Sequence, residues 1–187
     1  DHGPLWDQNT CFVLCQNGWG NAEIFSQHLP KNLIYNARII TGHERPAPHH
    51  VNITVHADSI HLGSLFSTST EEMKPLAHAL STGGIPAVAV PDISKDLWAK
   101  MLYNCALNSL GAICDVPYGQ LGENPFSRDL MEKIFQEIFL VMTAAGHSTH
   151  WATAGDYAGI FYSRFLPATA NPLPSTLQDI HTGRRTE

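Results

Sequence analysis

The chain has 187 residues, 43% of them hydrophobic and 15% charged, with 11 Lys+Arg against 17 Asp+Glu and a formal net charge of -6. An apolar share near one half, with charge well below the usual ~25%, excludes intrinsic disorder. The acidic balance argues against a nucleic-acid partner, because phosphate binding wants a basic excess, and leaves a small molecule as the expected partner.

The first half reads as strands with short connections. Cys11 to Cys15 is an apolar run broken by Gln16-Asn17-Gly18, a short helix is expected from about Asn21 to His28, and a second apolar run covers Asn32 to Thr41. Val51 to Val55 alternates, and Ser59 to Gly63 continues after Ala57-Asp58, which predicts a hairpin turning near Asp58. Glu71 to Leu80 reads as a helix ended by Gly83-Gly84, and Ala87 to Val90 as a last short strand closed by Pro91. From Asp92 the period becomes 3.6. Ser94 is expected to cap a helix running to about Ile113, and Asn124 with Pro125 at the first helical position opens another, with Phe126, Leu130, Ile134, Ile138 and Met142 as its apolar stripe. Gly146 stops it, a third helix is expected over Trp151 to Phe165, and a last one starts near Ser175. The fold class is α/β followed by all-α, with one domain over 1–91 and a helical one over 92–187.

No apolar run approaches the ~20 residues of a membrane span. The sequence opens at Asp1 with no initiator Met and stops abruptly, so it reads as a fragment of a longer protein. Cysteines stand at 11, 15, 105 and 114 without a C-x-x-C pair. Cys11 and Cys15 would lie about 13 Å apart on a strand rising ~3.3 Å per residue, too far for a disulfide, which suits a reducing cytoplasm. His147 and His150 share a helical face at i, i+3, but no third ligand follows at a metal spacing, so no metal site is expected.

Three pieces carry candidate chemistry. On the otherwise apolar helix from Ser94, Lys100, Asn104 and Asn108 fall at i, i+4 and i+8 on one narrow stripe. That stripe is either the solvent side of the helix or a cleft in which an ammonium and two carboxamides face a ligand. Gln16-Asn17-Gly18-Trp19-Gly20 follows a strand directly, where an open α/β sheet binds ligands and glycine lets backbone approach a cofactor, although Asn-Gly is also a common turn pair. The tail holds Ser175, Gln178 and Asp179, good capping residues, and closes on Thr186-Glu187. No G-x-G-x-x-G occurs in the 187 residues.

In order and spacing these pieces resemble the ketopantoate reductase family, whose members carry Q-N-G-x-G after a strand, a K-x-x-x-N-x-x-x-N helix and a late S-x-x-Q-D with T-E beyond. The resemblance covers essentially the whole chain. It implies a Rossmann-type NADP-binding domain, present here only in its later part, followed by a helical substrate domain. The implied reaction is NADPH-dependent reduction of the 2-keto acid ketopantoate in pantothenate and coenzyme A biosynthesis. By the same resemblance Lys100 is the general acid, Glu187 orients it or a cofactor or substrate hydroxyl, Asn104, Asn108 and Ser175 bind substrate, and Asn17 with Gly18 lies beside the nicotinamide and ribose. A homodimer fits the family. The rivals are another 2-keto acid or hydroxyacid dehydrogenase, since K-x-x-x-N also occurs in the β-hydroxyacid dehydrogenases, and a non-catalytic helical dimerisation module.

Overall fold

The computed structural model describes residues 6–186, apart from the side chains of residues 43–45 and 55. The chain divides between Leu97 and Trp98 into two compact units. The first is built on a four-stranded sheet of β1 (Phe12–Leu14), β2 (Ile34–Arg38), β5 (Ile60–Gly63) and β6 (Ala87–Ala89), in the order β1-β2-β5-β6. β1 pairs with β2 and β5 with β6 in parallel, whereas β2 and β5 run antiparallel. All five residues of β2 are buried, as expected of a strand covered on both faces. Tyr35 and Ala37 pack with Leu62, Met73 and Ala77 on one side, while Ile34 packs with Leu14 and Ala22 on the other. The helices supplying those contacts are α1 (Asn21–Phe25) and α2 (Lys74–Thr82), both near their expected places.

The hairpin lies elsewhere than the alternation around Asp58 suggests. β3 (Thr41–Ala47) and β4 (His50–His56) form a separate antiparallel pair, and β5 leaves to join the main sheet. Asp58 explains the difference: its carboxylate accepts from the Arg38 guanidinium at 2.8 Å and from the Ser59 N–H at 2.9 Å, anchoring the chain at β2 instead of folding it back on β4.

α3 (Ile93–Cys114) leads into the second unit. It begins one residue before Ser94, whose hydroxyl turns to the Asp92 carboxylate instead of capping. α4 (Tyr118–Glu123) was not foreseen; with two glycines in six residues it offers no apolar period to read. α5 (Pro125–Ala144) is capped as expected, Asn124 Oδ1 accepting from the N–H groups of Phe126 and Ser127. Its apolar stripe differs in part: Met142 is buried and Ile134 and Ile138 pack against the core as expected, but Phe126 and Leu130 are exposed while Met131 and Phe135 are buried. A strict four-residue repeat drifts by ~40° per step around a helix of 3.6 residues per turn, so five such residues cannot share one face. A capping box between Thr153 and Asp156 sets the start of α6 (Ala154–Ile160) three residues later than expected, and the chain continues through a π-helical stretch, Phe161–Phe165, into α7 (Leu166–Ala168). The core here is aromatic. Phe135 meets Tyr157 and Phe161 edge-on with ring centroids 4.8 and 5.0 Å apart, and α8 (Ser175–His181) closes the described chain.

Candidate functional site

α3 is apolar on most sides because Leu102, Ala106 and Leu107 are completely buried in the aromatic core. Lys100, Asn104 and Asn108 occupy successive turns of it, and all three are half-buried. A purely solvent-facing stripe would be more exposed than this. Asn108 is held from outside its own helix: the Tyr118 hydroxyl donates to its Oδ1 at 2.7 Å. Tyr118 opens α4, which docks because Gly119 lets the backbone approach; the Gly119 N–H donates to the Ala170 carbonyl at 2.9 Å, and a Cβ at Gly119 would stand 2.9 Å from that of Ala170. Burial, with the nearby Tyr103 phenol adding, pushes the Tyr118 hydroxyl well above its ordinary pKa and keeps its proton in place. Sequence reasoning missed Tyr118. The signal available was the Pro117-Tyr118-Gly119 helix start, ten residues beyond Asn108.

Ser175 is exposed and is the first residue of α8. It does not cap that helix, since the cap position belongs to Pro174. Two ties hold this segment to the end of α3. Pro174 packs into the space over Gly111, where a Cβ would collide with its ring, and His181 Nε2 lies 3.0 Å from the carboxylate of Asp115. The second tie is exposed and contributes little. Gly111→Ala is therefore expected to lower stability by about 1–2 kcal/mol in a urea melt, because overpacking against a rigid ring outweighs the gain in helix propensity. Gln178 uses its amide to donate to the Leu173 carbonyl at 2.9 Å. Glu187 lies outside the described residues.

In the first unit, Asn17 and Gly18 sit in an exposed loop directly after β1. Gly18 and Gly20 take φ of 91° and 95°, the left-handed region that favours glycine, and no atom lies within 4 Å of where their Cβ atoms would be. The backbone is thus open on that side. This fits the approach of a flat nicotinamide ring and its ribose. A pyrophosphate has no comparable glycine-rich cradle in the 187 residues.

A second group of charged residues lies in the same unit, around the strand next to β1. Arg38, on β2, and Asp96, in the first turn of α3, are both nearly inaccessible. Arg38 Nη2 is 2.8 Å from Asp58 and 3.7 Å from Asp96, and His61, the cross-strand neighbour of Arg38, has Nδ1 3.0 Å from Asp96. A shallow pocket at the end of α5 is lined by Thr143, His147, Thr149, His150 and Trp151, and includes none of the expected site residues. Among the described residues there is no cluster of His, Cys, Asp and Glu suited to a metal, no cysteine is in a disulfide, and no helix is long and apolar enough to cross a membrane.

Comparison with known proteins bears on all of this. Residues 92–187 match the family described as ketopantoate reductase PanE/ApbA C terminal, and residues 1–66 match ketopantoate reductase PanE/ApbA. The 2-dehydropantoate 2-reductase of Aquifex aeolicus is 37% identical over 182 residues, covering 97% of this chain and 59% of its own length. That of Escherichia coli O157:H7 is 32% identical over 179 residues, covering 95% and 55%. The chain thus spans little more than half the length of these relatives. The crystal structure of 2-dehydropantoate 2-reductase from Geobacter metallireducens matches with a TM-score of 0.89 at 25% identity, over 100% of this chain and 60% of its own. D-mandelate dehydrogenase in complex with NADH shares the fold, with a TM-score of 0.86 at 24% identity over 98% and 60%.

Proposed function

The chain belongs to the ketopantoate reductase family, and we propose that it carries the substrate-binding and catalytic part of an NADPH-dependent 2-dehydropantoate 2-reductase, reducing ketopantoate to pantoate. The observation that carries this is the half-buried stripe of Lys100, Asn104 and Asn108 on α3. We assign residues 1–91 to the later part of a Rossmann-type NADP-binding domain and residues 92–187 to the substrate domain.

Asn17 and Gly18 would hold the nicotinamide end of the cofactor, since the open backbone at Gly18 and Gly20 leaves room for a ring. NADPH, when bound, supplies the two reducing electrons as hydride. The chain's own part is positional and electrostatic. Negative charge builds on the ketone oxygen as the adjacent carbon is reduced; the Lys100 ammonium stabilises it and delivers the proton that completes the alcohol, then regains one from solvent. Asn104 and Asn108 offer donors to the oxygens of the substrate, and Ser175 offers its hydroxyl to the carboxylate. Glu187 orients Lys100 or a hydroxyl of substrate or cofactor. The partner is a small 2-keto acid. A cytoplasmic setting agrees with four free cysteines, and the exposed Phe126, Leu140 and Val141 on α5 are surface that a homodimer would cover.

The test is oxidation of NADPH by the full-length protein, followed at 340 nm with ketopantoate and a panel of other 2-keto acids. Ketopantoate is expected to give the highest kcat/KM. Preference for another acid would keep the mechanism and replace the substrate, and no turnover with any of them would end the reductase reading.

A further inference from the structure

We propose that Tyr118 is the positioning residue of the substrate-binding amide: its hydroxyl, 2.7 Å from Asn108 Oδ1, fixes that side chain in one orientation and leaves the Nδ2 amino group to meet the bound 2-keto acid. This rests on Asn108 as a substrate ligand.

A carboxamide carries an acceptor on one tip and donors on the other, and rotation by half a turn about its last bond exchanges them. In solvent the two orientations cost nearly the same. Next to a buried phenol they do not. With Oδ1 toward Tyr118, the phenol proton has its acceptor; with Nδ2 there instead, the phenol oxygen would have to accept and its own proton would need another partner. Among the described residues the Tyr118 hydroxyl makes no second hydrogen bond. The adjacent aromatic offers none: the Tyr103 ring stands edge-on to Tyr118 with centroids 6.1 Å apart, and its hydroxyl is already engaged with Thr169 Oγ1. The flipped amide therefore strands a buried donor, which is unfavourable. Burial also keeps the phenol protonated at any working pH, so the donor is permanent.

The orientation matters because the ketone and carboxylate oxygens of a 2-keto acid are acceptors only, and a hydroxyl such as ketopantoate carries can accept as well. An amide free to flip would present its own acceptor part of the time, and like would face like. Thr169 extends the arrangement by donating to the Phe165 carbonyl at 3.0 Å, so Tyr103, the wall of the Tyr118 ring, is itself pinned to backbone.

Four forms of the full-length protein test this with ketopantoate and NADPH: wild type, Tyr118→Phe, Asn108→Ala and the double variant. Tyr118→Phe is expected to raise KM about tenfold with kcat within about twofold, the loss of one oriented hydrogen bond. In the Asn108→Ala background the same change should leave KM where Asn108→Ala put it. An unchanged KM in Tyr118→Phe, or effects that multiply in the double variant, would overturn the assignment. Asn108→Asp keeps an acceptor for Tyr118 but removes the donor, so it should raise KM at least as far as Asn108→Ala; a normal KM in that variant also overturns it. Should wild type turn over no 2-keto acid, the reductase reading fails separately. Tyr118 is then judged by the NMR signals of the Asn108 side-chain NH2 group: these should shift and broaden in Tyr118→Phe if the phenol holds the amide, and unmoved signals refute it.

Discussion

Replacing Lys100 by alanine is expected to lower kcat for 2-keto acid reduction about a thousandfold while leaving the fold intact. General acid catalysis contributes ~10²–10⁴-fold, and here the same ammonium would also answer the charge that builds on the ketone oxygen. Alanine is the best helix former, and Lys100 lies mid-helix at a half-buried position outside the aromatic core, so the change should cost α3 little. Lys100→Arg separates the two roles. A guanidinium keeps the positive charge but gives up no proton near neutral pH, so it should recover substrate binding far better than turnover. Steady-state kinetics beside a thermal melt decide the matter: lost turnover in a folded protein supports the acid, whereas wild-type turnover would remove Lys100 from the reaction.

The sequence was most readable where one local rule sufficed. Asn124 before Pro125 marked a helix start through capping chemistry alone, and the structure has the cap there. Lys100, Asn104 and Asn108 were legible as a stripe because helix geometry puts i, i+4 and i+8 on one side whatever surrounds them. Failure came where the deciding partner is distant in sequence. The hairpin around Asp58 followed local alternation, but its true arrangement depends on Arg38, twenty residues earlier, claiming that carboxylate. Tyr118 escaped for the same reason: a tyrosine ten residues past Asn108 reaches that side chain only through the turn between α3 and α4. The apolar stripe of α5 failed differently, through a period of four where the helix turns every 3.6.

The buried charges at the start of α3 yield the largest expected stability effect. Asp96→Ala should destabilise the protein by about 3 kcal/mol or more, read as a lowered urea midpoint, because it strips a counter-charge from a guanidinium that has almost no access to water. What remains is Asp58, whose side chain is 53% exposed and therefore screened. Removing both members of the buried pair should hurt less: Arg38→Met with Asp96→Leu is expected to recover most of the loss, since a packed apolar pair replaces an ion pair at little net cost. Recovery would assign the arrangement a role in fixing which strand meets α3, beyond any stability it adds. Acid supplies an independent check. Partial burial raises the pKa of Asp58, but the hydrogen bond and charge of Arg38, with the Ser59 N–H, outweigh it and hold the carboxyl below its ordinary value. A depressed carboxylate stabilises the fold fully above its unfolded pKa of ~3.9 and loses that contribution as pH falls below it. The urea midpoint should therefore drop on acidification below about pH 4 more steeply in wild type than in Asp58→Asn, and equal slopes would mean that the Arg38–Asp58 contact contributes nothing.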